Sequence, residues 1–263
     1  MLSLGQDVVV LILATIGSLL FVAALNRFWP REQRRAHNDL IGWQIGILGT
    51  TYAVILGFML YTVWTAFGDA NLNVDLEANA LTNVYRLSEG LPEKQRMQLE
   101  KDTRDYADVV IQRDWPAMAQ SRIPEESHAI NDRMWRTLMS VKTNLPSEIA
   151  AEDHALTELS SLTEHRRTRL IQSTSRLPVI FWCVLLVGAA VTIFSASLFG
   201  SENATLHAIQ VFSFTLLVTL VLLAIADVNQ PFRGWVHISD YAFVRAQQNI
   251  RGAGHTVPGG DSF

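Results

Sequence analysis

The side chains best suited to chemistry are two histidine–acid pairs. His128 precedes Asp132 by one helical turn, and His154 precedes Glu158 in the same way. On a helix that spacing puts both groups on one face, where they could ligate a metal. A zinc site needs four ligands, or three and a water, and neither pair has a further partner. The surrounding charges fit a solvated helix face, so no metal is expected. Serine, histidine and aspartate all occur, but no nucleophile elbow places them for acyl transfer. Cys183 is the single cysteine. That excludes a disulfide framework, a CxxC pair and a cysteine-based metal site. Inside an apolar run it reads as a small packing residue. No glycine-rich phosphate loop is present. The expectation is a protein that is not an enzyme and binds no cofactor.

A different chemistry is open to the apolar stretches. Gly42, Gly46, Gly49, Ala53 and Gly57 recur every three or four residues along one helical face. Small residues at that spacing let helices approach closely in lipid. One reading is plain packing, within a subunit or between subunits. The other is a pore or gate lined by backbone and by Thr50, Thr51 and Thr62. His207 is the only ionisable side chain in these stretches besides Cys183 and the tyrosines. A membrane-embedded ionisable group is a functional candidate. His207 nevertheless follows Glu202 by five residues, near an interface, where a hydrogen-bonded histidine is the simpler reading. Asp227 and Asn229 close the last stretch and are the other polar candidates. The stretches hold no Asp, Glu, Lys or Arg. Coupled pumps and exchangers rely on such groups near the midplane, so passive conduction is easier to support.

These residues need membrane helices to position them. Hydrophobic residues make up 49% of the 263 and charged residues 17%, against about 25% charge in soluble chains. A bilayer core about 30 Å thick needs about 20 apolar residues of helix. Uncharged stretches of that length lie between Asp7 and Arg27, Asp39 and Asp69, Arg176 and Glu202, and Glu202 and Asp227. The first has no basic leader, and its arginines follow it, so it reads as a membrane helix and not a cleaved signal. Phe28, Trp29, Trp43, Trp64, Phe67 and Trp182 suit headgroup depth. Arg27, Arg31, Arg34 and Arg35 in the first loop put that loop in the cytoplasm and the N-terminus outside by the positive-inside rule. Arg166, Arg167, Arg169 and Arg176 oppose that assignment from the other side. A net charge of −4 argues against nucleic acid as a partner.

The expected fold is an all-α integral membrane protein with four transmembrane helices in two pairs. Residues 1–67 hold helices one and two, and 177–227 hold helices three and four. Residues 68–176 form an amphipathic helical stalk inserted between the pairs, outside the membrane. Its apolar stripes are Leu76, Ala80, Val84, Leu87 and Leu91; Leu99, Tyr106 and Val110; Ile130, Met134, Leu138 and Val141; and Ile149, Leu156, Leu159 and Leu170. Spacings of three, four and seven are helical. Pro92, Pro124 and Pro146, each followed by acids, mark helix starts. No strong breaker separates Phe67 from the Leu76 stripe, nor the Leu159 stripe from Pro178, so the stalk is expected to continue both membrane helices. Residues 228–263 read as a turn at Pro231 and Gly234, then Val236, Ile238 and Phe243 folding back to the membrane interface, then a disordered tail from Arg251.

Several motifs make the chain resemble the bacterial bestrophin-like family, a membrane domain of unknown function. They are Arg34-Arg35-Ala36-His37-Asn38-Asp39, the element from Tyr52 to Phe58, Glu77-Ala78, Tyr106, Asp114-Trp115-Pro116, the arginines 166, 167 and 169, and the Asp227-Val228-Asn229-Gln230-Pro231-Phe232-Arg233-Gly234 run. Asn229 departs from the second aspartate of that last motif. The resemblance reaches from helix one to about residue 245. It implies remote kinship with bestrophins, oligomeric anion channels with cytosolic termini. A homo-oligomeric passive channel for an inorganic ion in the cell membrane is the expected function. The alternative is a non-conducting sensor or scaffold whose helical segment binds a partner.

Overall fold

Proline and glycine set the helix boundaries. In the computed structural model, which describes residues 4–253, α1 spans Leu4–Phe28 and Pro30 separates it from a short α2 at Arg31–Arg35. Helix α3 then runs unbroken over Asn38–Ser88. Its 51 residues make a rod of about 76 Å at 1.5 Å per residue. Gly68 lies within it, and a single glycine costs about 1 kcal/mol, too little to break so long a helix. After Gly90 and Pro92, α4 occupies Glu93–Val109, followed by a π turn at Val110–Asp114 and α5 at Trp115–Ala119. Pro116 has no N–H for the carbonyl of Gln112, and its ring crowds that carbonyl. The widened turn just before it relieves the clash.

The remaining helices are α6 (Glu126–Leu138), α7 (Pro146–Thr174), α8 (Val179–Ser197), α9 (Ala204–Val228) and α10 (Tyr241–Ala253). Asn203 caps α9, its Oδ1 accepting from the backbone N–H groups of Thr205 and Leu206 at 3.0 and 3.1 Å. That satisfies two donors which a helix start otherwise leaves open. No strand occurs among the described residues.

Among the described residues, four helices are long and apolar enough to cross a membrane: Gly5–Phe28, Asn38–Ser88, Val179–Ser197 and Ala204–Val228. The chain divides into two units. One comprises the residues up to Ala66 with Arg176–Asn229. Its outer surface is apolar, with Leu13, Leu20, Leu186 and Leu217 each more than half exposed. Its interior holds hydroxyls. Thr15, Thr192 and Thr219 are buried and donate to the carbonyls four residues back at 2.7–2.8 Å. Small hydroxylated residues inside and leucines outside are the arrangement suited to lipid.

The second unit comprises Phe67–Ser175 and the segment from Gln230. It packs as a water-soluble protein does, with Leu81, Val84, Leu99, Met134, Leu138, Leu159, Leu162 and Phe243 buried. The buried face of α3 here is centred on Ala70, Val74, Leu81 and Val84, whereas Leu76 is 40% exposed. Ala80, Val84 and Leu91 of the expected stripe are buried and Leu87 packs against them; only Leu76 falls outside, because Glu77, a charge, occupies the interior position beside it.

Two expectations need correction. The expected helical continuity holds along α3, from Asn38 to Ser88, and fails between α7 and α8. Helix α7 ends at Thr174, Ser175 is extended, and α8 starts at Val179. Pro178 lacks an N–H and drives the residue before it out of the helical region. The expected fold-back of Ile238 and Phe243 to the membrane interface is also not what the structure shows. Ile238 and Phe243 are buried in the core of the second unit and not laid on the membrane, and α10 reaches Ala253. Arg251 through Ala253 are therefore helical, and the remainder of the expected tail lies outside the described residues.

Candidate functional site

Four helical segments meet around one guanidinium. Arg169 on α7 is fully buried. Its Nε donates to Glu77 Oε2 at 2.6 Å and its Nη2 to Glu77 Oε1 at 3.0 Å. Nη2 also donates to Asp114 Oδ2 at 3.1 Å. Tyr106 Oη on α4 donates to Glu77 Oε1 at 2.7 Å. Ser127 Oγ on α6 donates to Asp114 Oδ2 at 2.7 Å, and accepts from Arg166 Nε at 2.8 Å. The Arg169 guanidinium faces the Trp115 ring at 5.5 Å and the Phe243 ring at 5.8 Å. Trp115 in turn meets Phe232 and Phe243, both with centroids at 5.7 Å, and its Nε1 donates to the carbonyl of Ile238.

The electrostatics are uneven. Burial would lower Arg169, but the Glu77 carboxylate and its hydrogen bonds outweigh it, aided by Tyr106 and Asp114, and hold the guanidinium above its ordinary value. Burial, and then Glu77, push the Tyr106 hydroxyl far above the usual phenol range, so it stays a donor. Asp114 is also raised. Burial dominates there over the attraction of Arg169 and the bond from Ser127. Both oxygens of Glu77 are occupied, while Asp114 Oδ1 is buried without a partner. One guanidinium thus serves two acids, and Glu77 takes most of it. Glu77, Tyr106, Asp114, Ser127 and Arg169 are all closed to solvent. The cluster ties α3, α4, α6 and α7 together as a charged knot.

A second polar cluster lies in the apolar unit. Arg34 is buried, and its Nη1 donates to the carbonyl of Ser197 at 3.0 Å while Nη2 binds Asn26 Oδ1. Ser197 ends α8, so the cation sits at the negative end of that helix. Asn38 clamps the following loop, with Nδ2 donating to the Gly200 carbonyl at 2.8 Å and Oδ1 accepting from its N–H at 2.9 Å. A Cβ at Gly200 would stand 2.6 Å from the backbone nitrogen of Arg35, so only glycine fits this approach. Arg35 pairs with Glu202 at 2.5 Å.

The sequence candidates separate. His207 is buried, its Nε2 within 3.3 Å of the carbonyl of Ala196. Asn229 Oδ1 accepts from the N–H of Leu177 at 3.1 Å. Asp227 lies in the last turn of α9. Gly42, Gly46, Gly49 and Gly57 have nothing within 4 Å of where a Cβ would be, and Thr50, Thr51, Ala53 and Thr62 are exposed. The packed face of this part of α3 is instead Ile41, Tyr52, Leu56 and Val63. Tyr52 Oη donates to the carbonyl of Leu185 at 2.8 Å. His128 lies 3.6 Å from Asp132 as an exposed pair, and among the described residues no three His, Cys, Asp or Glu side chains are grouped to hold a metal.

Glu77, Tyr106, Asp114, Trp115, Arg166, Arg169 and Phe232 of the charged knot are among the residues that carried the resemblance. The sequence matches the bestrophin-like domain over residues 12–243. The chain belongs to the bestrophin-like family. A variant of a bacterial bestrophin homologue from Klebsiella pneumoniae shares its fold with a TM-score of 0.72 at 11% identity, over 94% of this chain and 99% of that one. Two further membrane-protein variants give TM-scores of 0.70 and 0.65 at 11% and 13% identity, over 94% and 93% of this chain and 99% and 98% of theirs. No curated protein matches significantly. This is an all-helical membrane protein of the bestrophin-like family.

Proposed function

We propose that the protein is a homo-oligomeric passive ion channel of the cell membrane. Its α3 face with Gly42, Gly46, Gly49, Thr50, Ala53 and Gly57 is turned to neighbouring subunits and to the conduction path. The observation that carries this reading is the division of α3 into two faces. Tyr52, Leu56 and Val63 are buried within the subunit, while the small-residue face has no neighbour there. Small residues at this spacing let a second helix come close in lipid, which suits a neighbouring subunit. The absence of acids and bases from the apolar stretches favours passive conduction over coupled transport. Family membership agrees with a channel.

Single-channel recording of purified protein in planar bilayers tests this, with Gly49→Leu and Gly57→Leu as controls. Discrete currents altered by both substitutions are expected. Silence from a folded oligomer, across both voltage signs and several salts, overturns it in favour of a non-conducting sensor or scaffold.

A further inference from the structure

A groove in the second unit lies between α3 and α10. Its volume is about 380 Å³, within the range of about 300–1,000 Å³ typical of small-ligand sites. One wall is a ridge of α3, where Asp75 and Asn79 stand one turn apart. The other wall is a ridge of α10, where Arg245 and Asn249 have the same spacing. The floor is small: Ala78, Thr82 and Ala246. Thr82 is internally satisfied, donating to the carbonyl of Ala78 at 3.0 Å.

The two walls match in chemistry and leave each other unpaired. Each carries one charge and one carboxamide, and the charges are opposite. Among the described residues, Asp75 and Arg245 make no ion pair with each other or with any other group, and neither carboxamide side chain is hydrogen-bonded. Arg245 is steadied by its own helix, its guanidinium 5.8 Å from the Tyr241 ring. A stable protein interface needs a desolvated apolar or aromatic centre. This lining offers alanines and polar groups only, which favours a small polar occupant over a chain segment.

We propose that the groove binds a small zwitterion. Its ammonium group would meet Asp75, its carboxylate or phosphate would meet Arg245, and Asn79 and Asn249 would supply the remaining donors and acceptors. A free amino-acid-like solute and a phosphoethanolamine headgroup share this chemistry. A charge-assisted hydrogen bond at each end is what would hold either one.

Calorimetric titration of the full chain in lipid nanodiscs tests this, with O-phosphoethanolamine and glycine as probes and ethylamine and inorganic phosphate as single-charge controls. The zwitterions should bind at least about tenfold more tightly than either control, and Asp75→Asn and Arg245→Gln should each weaken them about tenfold. Both side chains are exposed, so both variants should fold, as gel filtration will show. Binding only in discs free of phosphatidylethanolamine identifies the lipid headgroup as the occupant, and binding in both disc types identifies a solute. The proposal is overturned if no zwitterion binds at about 10 mM, or if both variants bind as the wild type does. It is overturned equally if Asp75→Cys and Arg245→Cys variants cross-link between subunits, since the groove would then be filled by a second copy.

Discussion

Arg169 holds Glu77 through two nitrogens, Nε to Oε2 at 2.6 Å and Nη2 to Oε1 at 3.0 Å, with neither side chain exposed to solvent. The two residues lie 92 positions apart, so the pair fastens α7 to α3 directly. A buried pair gains little over a well-packed apolar one, but breaking it strands a charge. Glu77→Leu or Arg169→Met should therefore each cost about 3–5 kcal/mol. The partly exposed pair of Arg104 and Glu100, 3.0 Å apart on one helix, should cost under about 1 kcal/mol when broken. Thermal unfolding in detergent reads both. The double variant Glu77→Leu with Arg169→Met should recover much of the loss, and simple additivity of the two single losses would refute the stranded-charge account.

Asp114 gives the pH dependence its sign. Burial raises its folded value above the ordinary aspartate range despite Arg169 and Ser127. The folded state thus binds the proton more readily than the unfolded state. Stability from this group is complete below about pH 3.9 and falls as pH rises through the raised value. Asp114→Asn removes the titration. The midpoint difference, variant minus wild type, should therefore grow more positive from acid to neutral pH. A flat or opposite trend would mean that the carboxylate is ionised comfortably in the fold.

Much of this architecture was legible in the residues. Charge-free stretches marked the four long apolar helices, and prolines marked the starts of α4, α6 and α7. The charged knot was not legible as a site. Its members are spread from Glu77 to Phe243, and apolar periodicity cannot register a face whose centre is a carboxylate. The same blindness placed Leu76 inside. Helix α10 was missed because Phe243, Ala246 and Ile250 make too short a stripe beside a glycine-rich end. The roles of Arg34 and Asn38 emerged only with their carbonyl partners at Ser197 and Gly200, since backbone acceptors leave no trace in a sequence.

Asn38 makes a local prediction. Its amide satisfies both the N–H and the carbonyl of Gly200. Asn38→Ala leaves two backbone groups unpaired, at about 1–3 kcal/mol for each one cut off from water. Hydrogen exchange should accelerate between Leu198 and Asn203 and stay unchanged from Phe67 to Ser175. Uniform acceleration across both units would show instead that the clamp is global.

The glycines separate packing inside a subunit from packing between subunits. A Cβ at Gly188 would stand 2.6 Å from the Tyr52 ring. That ring is 4% exposed, and its hydroxyl is tied to Leu185, so it cannot swing aside without losing the bond. Gly188→Ala should destabilise the fold by about 1–3 kcal/mol. Gly57 has nothing within 4 Å inside the subunit. Gly57→Ala should leave the subunit intact, and helix propensity favours alanine by about 1 kcal/mol. Gly57→Leu should keep the helical content but shift the protein to smaller species in light scattering, because the bulk falls on a neighbouring subunit. If Gly57→Leu assembles and conducts as the wild type does, the small-residue face of α3 touches lipid alone, and the pore must be sought on another helix.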